Sequence, residues 1–198
     1  MSDHYHAIAG AAESRVKIER SDFLGIAFPV AREEELFGEL KRIEKRHFDA
    51  THHCWAYRLF AGGRSRSSDA GEPSGTAGKP ILAAIESAEL HDVGVVVVRW
   101  FGGVKLGTGG LARAYRQSAT AALRAAQPVD RYLYERFRVV VPFASLSVVY
   151  RLVSPPSIVL VEERFGDVNE FFFDVRRSQA AEFGRSLTEK RLQWQTMK

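Results

Sequence analysis

The sequence predicts an α+β protein of two units, and three observations carry that prediction. Up to about residue 126, extended apolar runs alternate with segments of helical period. Two glycine-rich loops each lead straight into a helix. Beyond residue 135 the pattern reads strand, helix, strand, strand, helix, strand, the order of a ferredoxin-like α/β sandwich. The 198 residues suffice for two small domains, expected at 12–130 and 135–198 with a short linker at about 128–135.

The first ten residues read as a loose tail. Residues 14–20 and 22–30 follow as strands, with Val16, Ile18, Phe23, Ile26, Phe28 and Val30 at the apolar positions. Residues 32–47 form a helix whose apolar face is Leu36, Phe37, Leu40 and Ile43. A strand at 52–60 precedes the first Gly/Ser-rich loop. Pro80 suits a first helical position, where its missing N–H costs nothing, and the helix at about 80–90 turns Ile81, Leu82, Ile85 and Leu90 inward. Residues 93–100, VGVVVVRW, are β-branched and almost wholly apolar, as a buried central strand requires. After the second glycine loop a helix spans about 109–126, with Thr108 as its N-cap and Pro128 closing the unit. The last unit places strands at 136–143, 157–163, 168–175 and near 190–195, and helices at about 144–153 and 178–188. Val139–Phe143 is a candidate exposed edge.

Composition narrows the function. At 45% hydrophobic and 26% charged the chain is too apolar for disorder, and no apolar run reaches the length of a membrane span. The start lacks the basic and apolar regions of a signal peptide, and the single cysteine, Cys54, leaves no intrachain disulfide. A cytoplasmic protein with no membrane contact is the expectation. The net charge is +4, but Val93 to Val129 contains no acid and carries Arg99, Lys105, Arg113, Arg116 and Arg124, leaving the remainder at −1. Such a local positive field points to an anionic partner, although a solvated basic helix face would look the same.

The two loops, DAGEPSGTAGKP at 69–80 and RWFGGVKLGTGGLA at 99–112, hold the clearest chemistry. Each presents backbone N–H groups at a helix start, where the helix dipole adds positive charge. The anion- or RNA-binding candidates are Gly75, Thr76, Gly78 and Lys79 in the first, and Gly102, Gly103, Lys105, Gly107, Thr108, Gly109 and Gly110 in the second, with Arg113 and Arg116 on the helix beyond. Glycine also serves turns without any ligand. The Walker pattern fails because Gly78-Lys79 is followed by Pro80 and Pro73 holds the first glycine position. The dinucleotide pattern fails because a seven-residue loop separates Gly107 from the strand. His52 and Cys54 share one strand face while His53 takes the other, so no metal site is expected, nor any cofactor. Glu72, Asp69, His52, His53 and Cys54 are the candidates for acid–base or nucleophilic work, against turn, capping or packing roles. One of Trp100 and Phe101 is expected in the core, with the other free to stack on a base or a side chain.

ATHHCWAY at 50–57, DAGEPSGTAGKPIL at 69–82 and VVVVRWFGGVKLGTGGLARAY at 95–115 occur in the right order to resemble the IMPACT/YigZ family over residues 14–126. The second unit resembles the C-terminal domain of its bacterial members. The resemblance implies a first domain like a ribosomal-protein and elongation-factor module, and a ferredoxin-like second domain. Eukaryotic relatives regulate translation by competing for an activator of a starvation-responsive kinase, through an extra domain expected to be missing here. Bacterial members are suspected of binding nucleic acid or the ribosome, and no catalytic activity carries over. Ala70 stands where the family has a second Asp, and Trp100 where it has Tyr. The expectation is a non-enzymatic RNA- or ribosome-binding regulator of translation, with a translation-regulatory protein as a further partner. The alternative is an enzyme acting on a small phosphorylated or carboxylated ligand, and the oligomeric state stays open.

Overall fold

The computed structural model describes residues 3–197. The fold is α+β, and the chain forms two compact units, one of Tyr5–Asp130 and one from Arg131 onward that also takes in the start of the chain. The tail reading is corrected: β1 (His4–Ile8) pairs with β7 (Pro128–Tyr132) in a two-stranded sheet, and residues 1–2 of that reading lie outside the described residues. Pro128 therefore opens a strand and does not end a unit.

In the larger unit, β2 (Ala12–Ile18), β3 (Ser21–Pro29), β4 (His52–Arg58), β5 (Ser65–Ser68) and β6 (Val93–Trp100) form an antiparallel sheet in the order β2-β3-β6-β4-β5. The apolar run of β6 holds its centre, and its alternation decides the layers. Val95 and Val97 join the core under α2 (Gly78–Ser87) and α3 (Gly107–Ala125), whereas Val96 and Val98 join the core under α1 (Glu33–Arg46). Each such buried valine contributes about 1.5–3 kcal/mol. Leu36, Leu40 and Ile43 of α1 are buried as their spacing requires. β5, Ser65–Ser68, forms inside the segment read as loop, because its backbone pairs with β4 whatever its side chains.

In the smaller unit, β8 (Tyr134–Val141), α4 (Leu146–Tyr150), β9 (Ile158–Arg164), β10 (Asn169–Arg176), α5 (Arg177–Glu189) and β11 (Gln193–Met197) follow in ferredoxin-like order. The sheet order is β11-β8-β10-β9. β8 is thus an interior strand, and the edge reading of Val139–Phe143 is corrected. Phe137, Val139, Phe171, Phe173 and Phe183 centre its core. Asp3 belongs to this unit. Its carboxylate accepts from Arg176 Nη2 at 2.6 Å and from the Ser178 backbone N–H at 2.8 Å, which caps α5. Among the described residues no helix is long and apolar enough to cross a membrane.

Candidate functional site

The loops at one end of the five-stranded sheet converge on Glu72. Its Oε1 accepts from Arg99 Nη1 at 2.6 Å and from the Tyr115 hydroxyl at 2.8 Å, and His52 Nε2 lies 3.9 Å away. Arg99 is the penultimate residue of β6, Tyr115 lies on α3 and Glu72 sits in the first glycine loop, so one carboxylate ties the loop to a strand end and a helix. The pair is buried, with the Arg99 side chain 6% and the Glu72 side chain 3% exposed. Arg99 Nη2 reaches Ser21 Oγ at 3.4 Å, and its Nε has no hydrogen-bond partner among the described residues. Arg99 and Tyr115 were not among the candidates, since an arginine closing a valine strand and a tyrosine in a helix carry no local signal of a shared acid.

Asp69 occupies the anion site of the first loop. Its carboxylate accepts the backbone N–H groups of Gly75, Ala77 and Gly78 at 2.8–2.9 Å. Burial alone would raise its pKa, but these three bonds, with Lys79 nearby, hold it below the ordinary aspartate value. The expectation that Gly75 and Gly78 offer free donors is corrected: an acid from the chain itself takes them. Thr76 is buried and donates to the Pro73 carbonyl at 2.7 Å, while Lys79 is exposed. α2 starts at Gly78, so Pro80 is its third residue, still within the turn whose N–H groups lack intrahelical partners.

β4 braces the same loop. His52 Nδ1–H donates to the Ala70 carbonyl at 2.9 Å, and the Cys54 thiol donates to the Asp69 carbonyl at 2.9 Å. His53, on the other face, reaches the His47 carbonyl at 3.1 Å and stands apart from the cluster. Burial pushes the Cys54 thiol up to about 12, which disfavours the thiolate that a nucleophile role requires. Burial, then Cys54 and Glu72, raise the Tyr115 phenol far above its usual value, which keeps it a neutral donor to Glu72.

The second loop is open. Gly103, Lys105, Gly107, Thr108 and Gly109 are exposed, and Gly102 and Gly110 half-buried. α3 begins at Gly107 after Leu106, which is already helical, and no side chain caps it. Thr108 is therefore inside the first turn, and its N-cap role is corrected. From there a ridge runs along α3 through Arg113, Arg116, Thr120 and Arg124. It separates a groove of about 440 Å³ against Val16 of β2 from one of about 390 Å³ against Ala84, Ser87 and Ala88. Among the described residues neither groove is lined by an acid. Arg124 was counted in the charge pattern but not among the binding candidates; its place eight residues after Arg116 was the available signal.

The same residues align with known proteins. The Impact N-terminal domain matches residues 19–123, which hold both loops, Glu72, Arg99 and Tyr115. The IMPACT family member YvyE of Bacillus subtilis is 33% identical over 190 residues, 96% of this chain and 88% of the relative. The IMPACT family member in the pol 5′ region of Thermus thermophilus is 48% identical over 138 residues, 69% of this chain and 73% of its own. A crystal structure of a hypothetical protein covers 100% of this chain and 99% of its own with TM-score 0.71 and 25% identity, so both units have a solved counterpart. With its loop-bearing domain matched and a relative aligned across both units, the chain belongs to the IMPACT family.

Proposed function

We propose that this protein binds RNA, as found on the ribosome, and acts in the regulation of translation. The observation that carries the reading is the acid-free arginine ridge of α3 between two grooves. From Arg113 to Arg124 it spans about 17 Å, long enough to meet several successive phosphates. Lys79 and Lys105, both exposed, add charge near the two helix starts. The first loop supplies that lysine but no backbone cradle, because Asp69 fills it. The translation setting rests on the family's likeness to translation-factor modules.

The test is co-sedimentation with ribosomes, and filter binding of ribosomal RNA, across a salt series. Arg113→Glu/Arg116→Glu runs beside the wild type. Affinity should fall linearly in log–log salt, and the variant should lower the slope by about two. Wild-type protein that fails to bind at any salt would overturn the reading.

A second reading, an enzyme acting on a small phosphorylated or carboxylated ligand, is favoured by one observation. His52 has its tautomer fixed by the Ala70 carbonyl, with Nε2 facing Glu72 beside a buried Arg99 Nε that has no hydrogen-bond partner among the described residues. Turnover of such a ligand that disappears in His52→Gln would move the assignment there.

A further inference from the structure

α3 turns its cations to both of its flanks. Arg113 lines the groove against β2 and not the other. Arg116 is drawn the opposite way, for its Nη2 donates to Ser87 Oγ of α2 at 3.1 Å, across the second groove. Arg116, Thr120 and Arg124 line both grooves. A single strand follows one track, and a site built for it would gather its cations there. Instead, two troughs of similar size, about 440 and 390 Å³, share one basic crest.

Neither trough offers a ring. Among the described residues their lining is aliphatic, basic or neutral polar, with no aromatic side chain. Proteins that hold single strands without reading their sequence stack the bases on aromatic side chains. The neutral polar groups here are Gln117 in the β2-side trough, Ser87 in the α2-side trough and Thr120 in both. An amide and two hydroxyls can each donate to and accept from a sugar 2′-hydroxyl.

The relief suits one groove of RNA. Leu111, Ala114, Tyr115, Ala119 and Ala122 bury the inner side of α3, so only its outer side rises between the troughs. A crest so embedded does not enter the deep, narrow major groove of A-form RNA, nor the major groove of B-DNA, about 8.5 Å deep. The A-form minor groove is wide and shallow and displays 2′-hydroxyls between two phosphate backbones. Laid over the crest, it places one backbone in each trough, where the arginines of that side meet its phosphates.

We infer that α3 binds double-stranded RNA across the minor groove, with one strand's backbone in each trough. This rests on the RNA reading above and specifies the form of RNA taken. Fluorescence anisotropy tests it, with a fluorescein-labelled RNA duplex of about 16 base pairs, each of its strands alone, and a DNA duplex of the same sequence. The proteins are wild type, Gln117→Glu, which adds an acid to the β2-side trough, and Ala88→Glu, which adds one to the α2-side trough. Both positions are exposed, so both variants should melt with wild type.

Wild type should hold the RNA duplex about tenfold more tightly than either strand or the DNA duplex. Each added acid should weaken the RNA duplex about tenfold, because a backbone lies in both troughs. Single strands bound as tightly as the duplex, DNA duplex bound as tightly as RNA duplex, or full duplex affinity in either variant would overturn the two-strand mode while leaving RNA binding in place. Wild-type protein that binds none of the probes would overturn both readings.

Discussion

Asp69 and Glu72 stand three residues apart in one loop, yet they have separate tasks. Asp69 closes on donors six to nine residues downstream and caps α2. Glu72 reaches Arg99 and Tyr115, 27 and 43 residues away, and neutralises a charge with almost no access to water. Their proximity to a helix start was legible in the sequence. The distinction was not, because it depends on which side chains the sheet and α3 bring from elsewhere. Replacing Glu72 by Gln leaves Arg99 buried without a counter-charge. The expected loss is about 3–5 kcal/mol of unfolding free energy in urea titration. Converting Arg99 to Met in the same chain should return much of it, since an apolar pair of similar volume suits the site.

At the scale of elements, periodicity located what burial enforces. β6 was readable because every alternate valine enters one of two cores, and α1 because Leu36, Leu40 and Ile43 recur on one face. β1 and β5 were not, since HYHAI is held by pairing to distant β7 and SRSS by backbone pairing to the preceding β4, and SRSS carries no apolar side chain at all. Helix starts shifted by one or two residues, because α2 takes its cap from Asp69 and α3 has no side-chain cap. The seat of α3 on the sheet depends on Gly25 of β3. A Cβ there would lie 2.5 Å from the Ser118 carbonyl oxygen of α3. Gly25→Ala should lift α3 from the sheet and cost about 1–3 kcal/mol in thermal or urea unfolding. RNA affinity should fall with it, because the arginine ridge is carried by that helix.

For the whole molecule, the two units have different means of closure. The larger is closed by its own cores, whereas the smaller completes α5 with a residue from the opposite end of the sequence. The Arg176 hydrogen bond, against the cost of burial and with the help of Ser178, holds the Asp3 carboxyl well below the usual aspartate range. The native state therefore favours the ionised form. Its contribution is complete above the unfolded value near pH 4 and is lost as pH falls through the lower folded value. Asp3→Asn should cost the smaller unit about 2 kcal/mol at pH 7. The gap from wild type should narrow steadily below pH 4, as read by chemical denaturation followed through Trp194 fluorescence.

Synthesis gives the same contact an order in time. Asp3 leaves the ribosome 173 residues before Arg176. At ~5–20 residues per second it waits roughly ten to thirty seconds for the helix it caps. The segment Tyr5–Asp130 of the larger unit is made during that interval, so α5 meets a capping carboxylate that is already present.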